Sequence, residues 1–484
     1  MKLTELDPKP VWRHFAEICA IPRPSGHEEK IRKYVVDFAR EHGLECTVDE
    51  ANNVLVRKPA TPGMENRRGV ILQAHLDMVP QKNNDKVFDF ERDAIQAYVD
   101  GDWVTADGTT LGADNGMGVA AILAVLESND IQHGPLEALF TATEETGMDG
   151  AFGLKGGVLR GEMLLNLDSE TEGELYVGCA GGTDANIRLP YVAEVVPTGY
   201  KAYRIDVKGL KGGHSGIEIV LQRANANKLL FRILREAMKR CGMQLASVDG
   251  GGLRNAIPRE AVAVVLVPEG NEADFLALVE KMSCIFQKEF AGVEDTLSVE
   301  VEATELPEKM IPEVTAKRLV AAVVGCPNGV MKMSRAMAGL VQTSNNLARV
   351  VSDGSSVKLQ ALMRSSVRSE KEEVGEMIAS VFELAGAEVE LTGSYDGWNP
   401  NMNSPILQTM MRSYEELFGK KPAVTAIHAG LECGIIGANY PEMDMISFGP
   451  TICYPHSPDE KVNIASVGRF WSYLLHTLAG TPSK

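Results

Sequence analysis

Several histidines and carboxylates in this chain directly follow short apolar runs, and that placement is the first clue to chemistry. His75 and Asp77 lie two apart in Ala74-His75-Leu76-Asp77, after the apolar stretch 70–73. Residues two apart on a strand face the same side. His75 could therefore bind a metal while Asp77 fixes its tautomer through the second ring nitrogen. The plainer alternative is a turn closing a strand. Asp114 lies in Leu111-Gly112-Ala113-Asp114-Asn115-Gly116, where glycines on both sides permit close backbone approach. It could cap a helix expected over 116–127, or give one oxygen to each of two metal ions. Glu144 and Glu145 follow the run 136–143. They could be solvated surface, or they could divide the work, one as ligand and one as general base. Asp168 ends the run 163–167, and His456 lies in Tyr454-Pro455-His456-Ser457-Pro458-Asp459-Glu460, beyond the strand-like 443–447.

Ligands of open α/β sheets gather at the carboxyl ends of strands. His75, Asp114, Glu145, Asp168 and His456 all fit that placement. Two imidazoles and three carboxylates suit zinc, with manganese or cobalt also accommodated, and need no thiolate. Other candidates are more ambiguous. His214, in Lys211-Gly212-Gly213-His214-Ser215-Gly216, could be an exposed residue on a tight turn. His428 and Glu432, in Ile427-His428-Ala429-Gly430-Leu431-Glu432, are spaced i and i+4 and would share a face if helical. A substrate-pocket role is expected of them. Ser25 and Glu28 have the spacing of a helix capping box, a structural reading.

Elements must hold these residues in place. Helices are expected at 7–21, 27–42 and 116–127, with strands at 54–56, 69–74, 136–143 and 163–167. Alternation of this kind implies an α/β domain with a parallel or mixed sheet. Residues 187–396 have another rhythm: strand 203–208, helix 224–240, strand 261–267 and helix 273–290. A second round follows, with strands near 297–302, 358–364 and 387–391 and helices at 313–324 and 370–384. Two strand–helix–strand–strand–helix–strand halves are expected. The α/β pattern returns after residue 397. The expected organisation is an α/β catalytic domain formed by 1–186 and 397–484, with an α+β domain inserted at 187–396.

Composition sets the limits. The 484 residues carry 48 Lys+Arg and 66 Asp+Glu, a formal charge of −18. That balance argues against nucleic acid and anionic membrane as partners, which both need basic surface. Eight scattered cysteines with no C-x-x-C pair fit a reducing compartment. No apolar run approaches the roughly 20 residues of a membrane helix. The opening MKLTELDPKP has no secretory h-region, so a cytoplasmic protein is expected.

Taken together, ILQAHLDMVPQKNN, GTTLGADNG, TEETGMDGAFGL, NLDSE, KGLKGGHSG, LRNAIPREA, IHAGLECG and PHSPDE resemble the M20 family of di-zinc metallopeptidases, in particular its aminoacyl-histidine dipeptidase branch. The resemblance implies a zinc-exopeptidase-like catalytic domain with a mixed, mostly parallel sheet flanked by helices, and an inserted ferredoxin-like lid. It implies two divalent metals, Zn2+ before Co2+ or Mn2+. Asp114 would bridge them, His75 and Asp168 would complete one, and Glu145 and His456 the other. Asp77 would orient His75, and Glu144 would activate a metal-bridging water. His214 would donate to the developing oxyanion. Asn255 and Arg364 would bind substrate, Arg364 through the C-terminal carboxylate, with Arg368 a nearby rival. The implied substrate is an unblocked dipeptide, preferably Xaa-His including β-alanyl-histidine. Tripeptidase, N-acyl-amino-acid deacylase and non-catalytic relatives are the alternatives. His214 would act in cis in a monomer, or could act in trans in a homodimer.

Overall fold

The computed structural model describes residues 2–484. The chain divides into two compact units. The first runs to Cys179 and resumes over Trp398–Ala426 and Leu431–Lys484; the second comprises Ala180–Gly397 and Ile427–Gly430.

The first unit is built on an eight-stranded mixed sheet. Its four central strands run in the order Leu136–Thr141, Val70–His75, Met163–Asn166, Asp444–Ser447. These pair in parallel, while the flanking Glu45–Val48 and Val54–Lys58 add antiparallel. Strands Val70–His75 and Leu136–Thr141 are buried at every position, as expected where both faces are covered. One cover is the helix Ala113–Glu127. It is apolar all round and buried from Ala113 to Leu126, which suits a helix between a sheet and an outer helix. It packs against both Val70–His75 and the helix Lys9–Cys19. Helix Pro405–Phe418 lies against Asp444–Ser447 and the terminal helix Ile464–Ala479. Both helices start on side-chain caps, Ser404 accepting from the Leu407 amide and Asn463 from the Ser466 amide. Parallel strands place their carboxyl ends along one edge, and the segments leaving it carry His75, Glu145 and Asp168. Asp114 and His456 follow Trp103–Ala106 and Ile452–Cys453 of a separate four-stranded antiparallel sheet.

The second unit contains a nine-stranded antiparallel sheet whose main path runs Ser298–Thr304, Tyr200–Lys208, Ala261–Pro268, Gln244–Gly251, Val341–Ser352, Ser356–Ser365, Gly181–Pro190, Glu388–Tyr395. It resolves into two ferredoxin-like halves. In the first, strand Tyr200–Lys208, helix Ala226–Cys241, strands Gln244–Gly251 and Ala261–Pro268, helix Glu272–Glu289 and strand Ser298–Thr304 follow one another. In the second, Gly181–Pro190 is the first strand and Glu388–Tyr395 the last, so the first half is inserted within the second. The halves join edge to edge through Asp249–Gly251 and Arg349–Val351. Two expectations change. The strand near 297–302 closes the first half and does not open the second, because it pairs with Tyr200–Lys208. The unit also begins at Ala180, not residue 187, because Gly181–Pro190 hydrogen-bonds along its whole length to Ser356–Ser365. One apolar core spans both halves.

All eight cysteines are unpaired. Cys433 is buried, but Cys453 is only partly covered, so a packing role fits the first better. No helix among the described residues is long and apolar enough to cross a membrane.

Candidate functional site

The candidate ligands converge in the first unit. His75 is the last residue of its strand, and its Nε2 lies 3.1 Å from Asp114 Oδ1 and 3.2 Å from Asp168 Oδ1. His456 Nε2 lies 3.2 Å from Asp114 Oδ2 and 3.0 Å from Glu145 Oε2. Asp114 thus turns one oxygen toward each imidazole. Its backbone is non-helical, as is that of Asn115, so regular helix starts only beyond them and Asp114 is no simple cap. Donor atoms of His75, Asp114 and Asp168 lie within 4.8 Å of one another, as do those of Asp114, Glu145 and His456.

These residues fit a pair of divalent cations. Glu145 Oε1 is buried without a hydrogen-bond partner, a costly state for a carboxylate oxygen unless a cation meets it. The field has the right sign. Burial alone would lower the His75 pKa, but Asp168, Asp114 and Asp77 outweigh it and raise it well above the imidazole range. Hydrogen bonds to Asp114 and Glu145 push His456 up to about 11 despite its partial burial. The same carboxylate field that holds protons on these rings would favour metal in their place.

Asp77 organises the strand end. Its Oδ1 is 3.3 Å from His75 Nδ1 and accepts from the Glu144 amide at 3.0 Å. Its Oδ2 accepts from the Glu145 amide at 3.1 Å and Ser25 Oγ at 2.8 Å. Asp77, fully buried, therefore orients His75, its backbone carbonyl 3.1 Å and its carboxylate 3.3 Å from Nδ1, while the carboxylate also fixes the short turn carrying Glu144 and Glu145. Burial would raise its pKa, but the bonds from His75, Ser25 and the Glu144 amide hold it down at about 2. Glu144 goes the other way. Burial, then Asp168, Glu432 and Glu145, push its carboxyl well above the ordinary range against the pull of His75. Two acids near one another with opposed environments match the division between ligand support and proton transfer.

Sequence reasoning missed part of this scaffold. Ser25 and Glu28 do not form a helix capping box. The helix Glu29–Glu41 has no side-chain cap; Ser25 instead donates to Asp77, and Glu28 Oε1 accepts from the Thr143 amide and hydroxyl at 3.1 and 3.0 Å. Both thus brace the Glu144 turn. Asn115 Nδ2 donates to the Leu167 carbonyl at 2.9 Å and to Asp168, tying two ligand segments together. Local spacing alone gave no signal for these long-range bonds.

His428 and Glu432 do not share a helix face. Helix begins only at Glu432, and the chain between them passes Gly430, where a Cβ would lie 3.0 Å from the Tyr395 hydroxyl. Glu432 belongs to the first unit. It is 1% exposed and accepts from Gln73 Nε2 at 2.6 Å and Thr141 Oγ1 at 2.8 Å, both on strands leading to the candidate ligands. That burial is poorly suited to substrate contact.

His428 belongs to the second unit, with the remaining candidates. Gly216 marks their meeting point: a Cβ there would lie 2.3 Å from the His428 carbonyl, 3.0 Å from His214 Cε1 and 3.2 Å from Arg364 Nε. His214 Nδ1 accepts from the Gly216 and Ile217 amides, each at 3.1 Å. An accepting Nδ1 leaves the ring proton on Nε2, and burial with the Arg364 charge lowers the His214 pKa. A neutral imidazole with an Nε2–H donor results. His428 Nε2 is 2.7 Å from Ser344 Oγ, and burial with Arg364 pushes its pKa down to about 3. Arg364 is 6% exposed with its Nε unpartnered, while Nη1 lies 3.3 Å from the Tyr395 hydroxyl. Arg368, the rival, is exposed and paired with Asp396. Asn255 is exposed on the loop whose carbonyl accepts from the Ser215 amide at 2.8 Å.

The chain resembles known peptidases along its full length. The chain is 47% identical over 483 residues to the cytosol non-specific dipeptidase of Escherichia coli (strain K12), covering 100% of each. The crystal structure of aminoacylhistidine dipeptidase from Vibrio alginolyticus matches with a TM-score of 0.96 and 46% identity, covering 100% of this chain and 99% of that one. A tripeptidase from Staphylococcus aureus subsp. aureus Mu50 matches at TM-score 0.56 and 17% identity over 98% of each chain, a likeness of fold alone. The model of peptidase family M20/M25/M40 matches residues 71–479, the stretch that carries every candidate ligand, and the chain belongs to that family.

Proposed function

We propose that this chain is a cytoplasmic, metal-dependent dipeptidase that cleaves unblocked L-dipeptides and prefers Xaa-His, including β-alanyl-histidine. The observation that carries the reading is Asp114, with one oxygen toward His75 and the other toward His456. The 47% identity to a dipeptidase along the full chain supports the substrate class.

His75, Asp114 and Asp168 would hold one divalent ion, and Asp114, Glu145 and His456 the other, most simply Zn2+, with Co2+ or Mn2+ also suited to the donors. When bound, such a pair acidifies water and polarises the scissile carbonyl. Glu144 takes the proton of the attacking water and returns it to the leaving amine. Asp77 keeps His75 in the tautomer that presents Nε2 to the centre, and fixes the turn from which Glu144 reaches. From the second unit, His214 donates Nε2–H to the oxygen that gains charge. Arg364, whose guanidinium fork matches a carboxylate, receives the C-terminal end of the substrate. His214 and Arg364 come from different halves of the second unit and lie together around Gly216, so one second unit supplies both. Asn255 would contact the substrate from the adjoining loop.

Side-by-side assays of alanyl-histidine, carnosine, a tripeptide and an N-acetyl amino acid test the reading. Dipeptides should turn over fastest. Rapid hydrolysis of the tripeptide or the N-acyl substrate alone would replace it. Glu144→Gln should keep both metals and lose at least about 100-fold in kcat; an unchanged kcat would remove the base.

A further inference from the structure

Two buried ionisable side chains take no part in that mechanism. Arg23 and Glu460 are 3% and 1% exposed. Arg23, in the segment after the first helix, donates from Nη1 to the Leu76 carbonyl at 3.0 Å and the Asp77 carbonyl at 2.8 Å, and from Nη2 to the Gly112 carbonyl. Glu460, four residues beyond His456, accepts the Leu111 and Gly112 amides on Oε2 at 2.8 and 2.9 Å. Its Oε1 accepts the Asp114 amide at 3.2 Å. The Gly112 residue is thus gripped at its N–H by an anion and at its C=O by a cation.

The pair connects three segments that carry candidate ligands: the strand end of His75, the loop of Asp114 and the loop of His456. It also explains the glycines around Asp114. A Cβ at Gly112 would lie 2.6 Å from Arg23 Nη2, and one at Gly116 would lie 2.7 Å from the same atom. The guanidinium occupies the space that side chains would need. Burying an ion costs several kcal/mol unless hydrogen bonds compensate. Here all six charge-assisted bonds go to backbone groups of two ligand segments. Apolar packing could fill the volume but could not set the direction of a peptide unit.

We infer that Arg23 and Glu460 form a clamp of positioning residues that fixes the Asp114 backbone so that its two carboxylate oxygens are shared between two cations. The clamp rests on the two-metal reading above. Glu460→Gln is the sharpest test. An amide keeps one acceptor oxygen and turns an NH2 toward an N–H donor, so the Asp114 or the Leu111/Gly112 anchorage is lost. Metal-free protein is titrated with Co2+, following stoichiometry per folded chain and the visible absorption of the bound ions. The parent should take up two equivalents. In Glu460→Gln, affinity for the pair should fall 10–100-fold, the range for supporting partners of metal ligands. The absorption band should shift, and kcat should fall more than KM changes. Arg23→Lys, which retains charge but not the fork, should do the same and serves if Glu460→Gln does not fold. Two equivalents bound with parental affinity and spectrum in either folded variant, with only the metal-free melting temperature lowered, would overturn the clamp. A parent that binds fewer than two ions would instead remove the metal-centre reading, and the clamp with it.

Discussion

Asp77→Asn separates the two tasks assigned to one carboxylate. The native group accepts from the Glu144 amide, the Glu145 amide and Ser25, and faces His75 Nδ1 at 3.3 Å. Asparagine has one acceptor oxygen. With that oxygen toward the Glu144 amide, its NH2 confronts the Glu145 amide, a donor against a donor. In the other orientation the NH2 faces the Glu144 amide and His75 Nδ1. His75 Nδ1 then keeps only the Asp77 backbone carbonyl at 3.1 Å and loses the charge of the carboxylate beside it. Either way one hydrogen bond to a charged group is lost, about 1.5–3 kcal/mol, and a buried donor is stranded, about 1–3 kcal/mol. The depression of the Asp77 pKa from 3.8 to about 2 reflects the same bonds and corresponds to about 2 kcal/mol favouring the ionised group in the folded chain. The expected loss is therefore about 2–6 kcal/mol, divided between folding and metal binding. Competition with a chromogenic chelator measures metal affinity per folded chain, and denaturant unfolding of the metal-free protein measures stability. Affinity should fall 10–100-fold and stability by at least about 1 kcal/mol. Parental affinity together with stability within about 0.5 kcal/mol would refute the reasoning.

Other consequences can be checked with simple variants. Gly112→Ala places a Cβ 2.6 Å from Arg23 Nη2 at a φ of +70°; overpacking of about 1–3 kcal/mol and the left-handed backbone penalty of about 1–2 kcal/mol should lower denaturant stability by about 2–5 kcal/mol. Arg364→Lys should raise KM for dipeptides about tenfold or more while narrowing the preference for a free C-terminus over its amide; an unchanged preference would release Arg364 from carboxylate binding. His428 supplies a pH test. Its folded pKa of about 3 lies below the ordinary 6.5, so its contribution is complete above pH 6.5 and is lost as pH falls from there toward 3. Between pH 7 and pH 5 the parent should lose about 2 kcal/mol more stability than His428→Gln, and equal losses would contradict a buried neutral imidazole.

Part of the candidate ligand cluster was legible in the sequence: His75, Glu145 and Asp168 follow parallel strands, whose carboxyl ends share one edge. Asp114 and His456 join them by another route, after Trp103–Ala106 and Ile452–Cys453 of a separate four-stranded antiparallel sheet. Motif resemblance carried the lid candidates, and His214 and Arg364 do lie around Gly216. What failed was inference from spacing alone. The i, i+4 relation of His428 and Glu432 had no helix to act through. Ser25 and Glu28, spaced like a capping box, bond instead to residues 52 and 115 positions away. The nested order of the two ferredoxin-like halves was also hidden, since Gly181–Pro190 finds its sheet partners only after an intervening half has been completed.

Dipeptide hydrolysis at a two-metal centre can be tested directly. The most direct measurement is turnover of alanyl-histidine by chelator-stripped protein as Zn2+ or Co2+ is returned in known equivalents. Activity should be absent without metal and should rise to a plateau at two ions per chain. Undiminished turnover by the stripped protein, or none with two ions bound, would contradict it.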